Sequence, residues 1–224
     1  MAGFTEYVRL FTAIELDAGL RREIEIETSR LLVGLGRIGR VPEENLHVTL
    51  KFIGEVHRDD LAALDEVVAD GAARLTPGEI EVCGIGAFPD LRRPRVLWTG
   101  VSDPSGILTP VHDRLNQTLK RFGAKREQKR YVPHVTIGRV RDRLDTEEFA
   151  RRLDALEVVC ANRILGAVDV AIRTYEEPCE EFWFGAQDVS AVTLFMSEPG
   201  RRGPPVYTVL GRYRSRNEAA GGAP

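Results

Sequence analysis

One four-residue pattern, His-Val-Thr followed by an aliphatic residue, occurs twice in this chain of 224 residues. The two copies lie at 47–50 and 134–137. Polar and aliphatic residues alternate in each copy, which is typical of a β-strand with one buried face. Each copy therefore predicts a core strand from which one imidazole and one hydroxyl project on the same side.

The overall composition is that of an ordinary globular enzyme, with 43% hydrophobic and 29% charged residues. A chain of this length fits one substantial domain or two small, closely packed lobes. The formal net charge is −3, so no global cationic field attracts the protein to nucleic acid or to a membrane. This balance argues against a non-specific polynucleotide binder, but it is compatible with a locally basic cleft.

The targeting and cysteine signals predict a cytoplasmic protein without a membrane segment. The N-terminal stretch lacks the basic region and cleavage site of a signal peptide, and no later run is long enough to span a bilayer. Cys83, Cys160 and Cys179 are odd in number and have no zinc-site spacing, so we expect reduced thiols. We expect a monomer by default.

Hydrophobic periodicity predicts alternating strands and helices. The predicted strands cover 7–16, 46–56, 80–85, 95–101, 131–140, 164–172, 191–196 and 205–213. The predicted helices begin at Asp17, at Asp59, at Leu108 and at Thr146, and they end near positions 34, 76, 122 and 156. An acidic stretch occupies 175–181, and the small, polar tail at 215–224 is expected to be disordered.

The order of these elements predicts an α+β fold with two mostly antiparallel sheets and flanking helices. Each half of the chain contains a strand, a helix and one His-Val-Thr strand in similar roles. We therefore expect a pseudo-twofold, bilobal domain over residues 1–214, in which the two lobes face each other across a central cleft and each lobe contributes one motif.

Two imidazoles facing one substrate can supply one general base and one general acid near neutral pH. This pairing suits the hydrolysis of a phosphodiester without a metal ion, and no cofactor or metal site is expected. Neighbouring hydroxyl donors would stabilise the charge that develops on the phosphate. The spacing of the motifs leaves open which histidine is the acid and which is the base.

The flanking blocks carry a resemblance to a known family. With VRLFTAIEL, RVPEENLHVTLKFIGEV, GAFPDLRRPRVLW, YVPHVTIGR and AVTLFMSEPGRRGPPVYTVLGRY, the chain resembles the two-histidine phosphoesterase superfamily. Within it, the chain is similar to the RNA 2′,3′-cyclic phosphodiesterases, also called 2′-5′ RNA ligases. The resemblance implies that His47 protonates the leaving 3′-oxygen and that His134 activates water, which leaves a 2′-phosphate.

The resemblance also implies a set of substrate contacts. Thr49 and Thr136 match positions that hydrogen-bond the phosphate oxygens. Phe52 and Arg139 match positions that hold the terminal base, by stacking and by a cation–π contact. The expected partners are RNA ends or nucleotides with a cyclic phosphate, and reversible 2′-5′ ligation is a possible side activity.

Several alternatives stay open from the sequence alone. The site suits a small cyclic nucleotide or a 2′-5′ oligonucleotide as well as RNA, and a non-catalytic RNA-end-binding module is a third interpretation. His57, in a turn, is expected to be solvated, and His112, beside an aspartate, is expected on the surface. The basic residues at 120–130 are either a solvated loop or an electrostatic guide for the RNA backbone.

Overall fold

The computed structural model describes residues 6–155, 183–201 and 203–215. Four α-helices lie in these ranges: α1 (Ala18–Leu32), α2 (Leu61–Ala72), α3 (Leu108–Thr118) and α4 (Thr146–Ala155). The strands in the same ranges are β1 (Tyr7–Glu15), β2 (Gly36–Arg40), β3 (His47–His57), β4 (Gly78–Phe88), β5 (Val96–Ser102), β6 (His134–Leu144), β7 (Trp183–Val189), β8 (Ala191–Glu198) and β9 (Val206–Arg214). None of the helices in these ranges is long and apolar enough to cross a membrane.

The strands form one antiparallel sheet with the order β7-β4-β5-β6-β3-β1-β8-β9, and β2 also pairs with β6. The ladders within each half are long, but β3 and β6 meet through a single residue pair, Val48 and Val135. The two sheets predicted from the sequence are therefore two lobes of one sheet, joined at that pair. The α+β class and the antiparallel, bilobal architecture are confirmed.

The main hydrophobic core lies on one side of this sheet. It combines alternate strand residues, among them Leu10 and Ile14 of β1, with apolar residues of the four helices. Phe11 and Ala13, which alternate with them, belong to a separate small cluster with Phe195. Because successive side chains of a strand point to opposite faces, this second cluster marks the face away from the helices. The histidine and threonine side chains of both His-Val-Thr motifs project from this face of the sheet, away from the helices.

Two strands were missed by the sequence analysis, and both depend on tertiary pairing. β2 has the sequence GRIGR, whose glycines favour a loop, yet it pairs with β6 through Ile38 and Val140. β7 follows directly after the predicted acidic stretch and pairs with β4. The helix predicted over 108–122 ends at Thr118 and continues as a 3-10 turn to Phe122. The predicted strand at 164–172 and the acidic stretch lie outside the described residues.

The cysteine prediction was wrong at one position. Cys83 is fully buried on β4 and forms a disulfide, whereas the sequence analysis expected a reduced thiol. Pairing depends on the distance between two Cα atoms in the fold, for which the wide spacing of three cysteines carries no signal. Cys160 and Cys179 lie outside the described residues, and so does the predicted tail beyond Ser215. Ser215 itself is described, and its backbone N–H donates to the Ser190 carbonyl.

Candidate active site

The junction between the lobes brings the two motifs together. In an antiparallel pair centred on Val48 and Val135, each motif histidine lies opposite the threonine of the other motif. Both valines are fully buried in the core, so the flanking polar side chains project from the opposite face, where each is partly exposed. These four side chains are His47, Thr49, His134 and Thr136.

The two histidines share the same anchoring hydrogen bond. His47 Nδ1 lies 2.7 Å from the Asn45 carbonyl oxygen, and His134 Nδ1 lies 2.9 Å from the Val132 carbonyl oxygen. A carbonyl oxygen only accepts, so Nδ1 carries the hydrogen and donates in both rings. Nε2 is therefore the nitrogen of each ring that is left to take up or release a proton.

Aromatic side chains surround His47. Its ring centroid lies 4.9 Å from that of Phe11, 5.5 Å from Tyr207 and 6.3 Å from Phe195. This burial lowers the pKa of His47 to about 4, against the opposing effect of the hydrogen bond to Asn45. His47 is consequently a neutral imidazole at pH 7 in the free protein.

A second aromatic pair lies against His134. The Phe88 ring packs edge-on at 5.1 Å, and the Trp98 ring centroid lies 6.1 Å away. Gly86, the cross-strand partner of Trp98, makes room for the indole, because a Cβ at that position would lie 2.2 Å from the ring. Burial lowers the pKa of His134, and the nearby positive charge of Arg139 lowers it further.

Two favourable interactions oppose that shift at His134. The hydrogen bond to the Val132 carbonyl and the negative charge of Glu127 both raise the pKa of His134. The positive charge of His134 in turn lowers the pKa of His47, so each ring lies within electrostatic reach of the other. The site therefore disfavours protonation of both rings at once. An acid and a base acting together require one protonated and one neutral ring, and this arrangement is consistent with that requirement.

The two predicted base contacts flank the motifs at matching positions, five residues after each histidine. Phe52 is 55% exposed, and its ring centroid lies 5.8 Å from that of Phe11 in the His47 cluster. Arg139 is exposed on β6, and its charge acts on both His134 and Tyr207. The structure therefore brings all six predicted site residues to one region and leaves the Phe52 ring open to solvent.

An ion pair between a buried lysine and a half-exposed glutamate lies next to the first motif. Lys51 is 1% exposed, and its Nζ lies 2.7 Å from Glu127 Oε1 and 2.7 Å from the Lys125 carbonyl oxygen. Glu127 also contacts His112, whose Nε2 lies 3.5 Å from Oε2. These contacts lower the pKa of Glu127 to about 2, with the His112 contact as the largest cause.

The prediction that His112 is a surface residue was wrong, since its side chain is 2% exposed. Positions 108, 111, 112 and 115 form one helical face, and this periodicity outweighs the polar residue type. His112 stacks on Tyr131, with ring centroids 4.3 Å apart, and the Tyr131 hydroxyl donates to the Thr49 carbonyl at 2.9 Å. His57, by contrast, is partly exposed and its Nδ1 accepts from the Asp59 N–H.

Sequence reasoning did not identify the residues that set the environment of the histidines. Phe11, Tyr207 and Trp98 lie in strands, where aromatic residues are usual and alternation alone does not separate a core position from a site position. Glu127 lies in a basic segment and gave no separate signal. Among residues 6–155, 183–201 and 203–215 there is no group of three or more His, Cys, Asp or Glu side chains arranged to hold a metal ion.

Comparison with known proteins places this geometry in a family. A model of the 2′-5′ RNA ligase superfamily matches residues 21–162. The RNA 2′,3′-cyclic phosphodiesterase of Methanothermobacter thermautotrophicus is 35% identical over 152 residues, which are 68% of this chain and 82% of that protein. The protein of the same name from Aeropyrum pernix is 35% identical over 170 residues, which are 76% of this chain and 82% of that protein.

Solved structures show the same fold. Escherichia coli LigT complexed with 3′-AMP matches with a TM-score of 0.67 and 26% identity, over 94% of this chain and 99% of that chain. TT0787 of Thermus thermophilus matches in fold with a TM-score of 0.65 and 23% identity, over 93% of this chain and 98% of that chain. The architecture is that of a two-histidine phosphoesterase. The chain belongs to the 2′-5′ RNA ligase superfamily, which confirms the resemblance seen in the sequence.

Proposed function

We propose that this protein is an enzyme that hydrolyses the 2′,3′-cyclic phosphate at an RNA end to a 2′-phosphate, without a metal ion. The observation that carries the proposal is the antiparallel pairing of Val48 with Val135, which presents both histidines to one cleft with each Nε2 left free. Relatives with the name RNA 2′,3′-cyclic phosphodiesterase support the choice of reaction.

In the proposed reaction, a water oxygen attacks phosphorus while His134 Nε2 accepts the proton of the water. The bond from phosphorus to the 3′-oxygen breaks, and His47, which must first bind a proton at Nε2 because its ring is neutral in the free protein at pH 7, donates that proton to the oxygen. The product is a 2′-phosphate beside a 3′-hydroxyl, and exchange with solvent restores both rings. This division of roles follows the family resemblance. A 5′-hydroxyl in place of water would give a 2′-5′ linkage by the same two proton transfers.

The remaining predicted residues supply binding in this proposal. Thr49 and Thr136 donate to the non-bridging phosphate oxygens, and their hydrogen bonds strengthen as charge develops there. Phe52 stacks on the terminal base, and Arg139 holds its other face or a phosphate. We propose that residues 1–214 act as one bilobal, monomeric domain with an RNA end as partner.

A direct assay tests the reaction. An oligoribonucleotide with a 2′,3′-cyclic phosphate, and a cyclic mononucleotide, are each incubated with the protein in EDTA, and the position of the product phosphate is determined. We expect 2′-phosphate products from the oligonucleotide. Loss of activity in EDTA would refute the metal-free mechanism, failure on both substrates would refute the enzyme, and turnover of the mononucleotide alone would favour a small cyclic nucleotide as substrate.

Substitution of the histidines tests the site. We expect His47→Ala and His134→Ala each to lower kcat by roughly 10²–10⁴-fold, the usual contribution of a general acid or base. His57→Ala is the matched control, because that ring is partly exposed and bonds locally to Asp59. Full activity of either motif variant would refute the assignment.

A modified leaving group separates the two roles. A cyclic substrate with sulfur in place of the 3′-oxygen loses a thiolate, which needs no proton from the enzyme. We expect this substrate to restore activity to His47→Ala but not to His134→Ala. The reverse pattern would exchange the acid and the base and leave the proposed reaction intact.

A further inference from the structure

A basic loop leads directly into the second motif. It runs from Gly123, whose left-handed φ of 84° ends the preceding 3-10 turn, to residue 133 and is called here the 123–133 loop. Its only acidic residue is Glu127. Its basic residues are Lys125, Arg126, Lys129 and Arg130.

The single acid of this loop is neutralised from the interior. The Glu127 carboxylate accepts from Lys51, whose ammonium is buried and lies 2.7 Å away. A buried lysine is costly unless it is paired, so this contact holds Glu127 in place. As a result, the carboxylate that would otherwise offset the neighbouring cations is already engaged by a residue of the sheet.

The backbone of the loop is also fixed by hydrogen bonds to other parts of the protein. Asn116 of α3 donates to the Glu127 carbonyl and accepts from the Glu127 N–H, both at 2.9 Å. Lys51 Nζ holds the Lys125 carbonyl, and the Tyr131 hydroxyl ties the end of the loop to β3. The loop therefore holds its side chains on a preorganised frame, which lowers the entropic cost of binding.

Three cations of the loop are directed to solvent. Lys125, Arg126 and Lys129 are exposed, and their side chains have no hydrogen-bond or ion-pair partner among the described residues. The protein as a whole is acidic, with a net charge of −3, so this concentration of unpaired positive charge is local. Such a surface fits an anionic polymer better than a single small anion.

The loop is also close to the reacting groups. Lys129 precedes His134 by five residues, so the two Cα atoms lie at most about 17 Å apart. The charge of Glu127 raises the pKa of His134, which places the anchored part of the loop within electrostatic reach of the site. An RNA strand that ends at the histidines can therefore reach these cations with the phosphates next to its terminus.

We propose that Lys125, Arg126 and Lys129 form a binding surface for the phosphodiester backbone of the RNA whose cyclic-phosphate end occupies the histidine site. The inference rests on the proposed function and extends it, because it selects a polynucleotide over a mononucleotide as the substrate. Lys51 and Glu127 act as the internal support of this surface.

The test compares two triple variants of the full chain. The loop variant is Lys125→Gln, Arg126→Gln and Lys129→Gln. The control variant is Arg22→Gln, Arg30→Gln and Arg74→Gln, which removes the same charge from exposed positions on or next to α1 and α2. Affinity for a fluorescent ten-nucleotide RNA with a terminal phosphate is measured by anisotropy across a salt series, and hydrolysis of a cyclic mononucleotide is measured in parallel.

We expect the loop variant to bind the RNA at least about tenfold more weakly at low salt, with a salt slope smaller by about 2, since single strands give about 0.7 per phosphate contact. The control variant and mononucleotide hydrolysis should match the wild type. Unchanged RNA affinity, equal losses in both variants, or a parallel loss of mononucleotide hydrolysis would each overturn the proposal. A wild-type protein without hydrolytic activity would contradict the proposed function, while anisotropy would still decide the role of the loop.

Discussion

His47 and His134 have the same tautomer but different surroundings. Both rings donate from Nδ1 to a carbonyl two residues earlier, which leaves Nε2 as the nitrogen that can bind or release a proton. His47 is enclosed by aromatic rings, whereas His134 lies between the opposite charges of Arg139 and Glu127. A change of one neighbour therefore has a different effect on each pKa.

The first prediction concerns the pH dependence of kcat/KM, which reports the ionisation of the free enzyme. The proposed mechanism needs one ring protonated and the other neutral, so we expect activity to be lost as the pH rises through the pKa of the acid. Because burial lowers the pKa of both histidines below the usual 6.5, we expect the optimum below pH 6.5. Stopped assays from pH 4 to 8 measure it, and an optimum above 7 would contradict the prediction.

Arg139 should affect the limb of the pH profile of kcat/KM that reflects the ionisation of His134. Its positive charge lowers the pKa of His134, so Arg139→Gln is expected to raise that pKa and to move the corresponding limb to higher pH. Arg141→Gln is the matched control, since Arg141 is an exposed arginine on the same strand. Wild-type pH profiles from both variants would refute this part of the pH prediction.

The threonines offer a second prediction at this scale. In the register of β3 and β6, each threonine lies opposite the histidine of the other motif. We expect Thr49→Val and Thr136→Val, which keep the side-chain shape, each to lower kcat by roughly 10²–10³-fold, the usual cost of a lost transition-state donor. Thr118→Val, on α3 and bonded only to its own helix, is the control. A change confined to KM would mean that the hydroxyls bind the ground state instead.

Among the elements, β3 and β6 have the weakest direct connection in the sheet. They share one residue pair, and the hydroxyl of Tyr131, three residues before the second motif, also donates to the Thr49 carbonyl of the first motif. Burial raises the pKa of Tyr131, so its hydroxyl stays a protonated donor across the working range. His112 supports the ring from the other side by stacking.

This bond carries a third prediction. Tyr131→Phe removes one hydroxyl and should cost only about 1 kcal/mol of stability, the usual net value of a hydrogen bond. If the bond holds the two motifs at their working separation, kcat should fall roughly tenfold or more while KM changes little, since small misplacements of catalytic groups are costly. Tyr213→Phe removes a hydroxyl bonded to Asp65 on α2 and is the matched control. Equal kinetics in both variants would assign Tyr131 a purely structural role.

The elements also show how far the sequence is informative. Alternation located β3 and β6 correctly, because their apolar faces are buried in the main core. It missed β2, whose short glycine-rich sequence becomes a strand only through its partner β6. The six site residues were predicted from the motifs and the family blocks, and their role in the site stays a prediction. The aromatic enclosure of His47 was not predicted, since Phe11 of β1 is far in sequence from Phe195 and Tyr207 of β8 and β9, and their proximity is a property of the sheet order.

For the whole molecule, the buried titratable groups predict the pH dependence of stability. His47 has a lowered pKa, so the folded state binds fewer protons than the unfolded state between pH 6.5 and about 4. Its contribution is present above pH 6.5, and we expect a loss of up to ~3 kcal/mol as the pH falls through that window. Glu127 adds a second loss as the pH falls from 4.5 towards about 2.

Denaturant unfolding at several pH values measures this fourth prediction. His47→Phe, which keeps an aromatic ring in the cluster without a titratable group, should flatten the dependence between pH 6.5 and 4. The variant should still lose stability below pH 4.5, where Glu127 becomes protonated. An unchanged curve in the upper window would show that burial of His47 does not contribute to the acid sensitivity of the protein.

The single pair of Val48 and Val135 also bears on regiochemistry. A local twofold axis through that pair relates the two histidines and the two threonines, so these four groups present almost the same arrangement to either ester oxygen of a cyclic phosphate. The relative positions of these four groups therefore do not determine which oxygen leaves, and that choice must depend on the groups around them. Phe52 and Arg139 occupy equivalent positions but differ in chemistry, and we propose that this difference orients the nucleotide and selects one product isomer over the other.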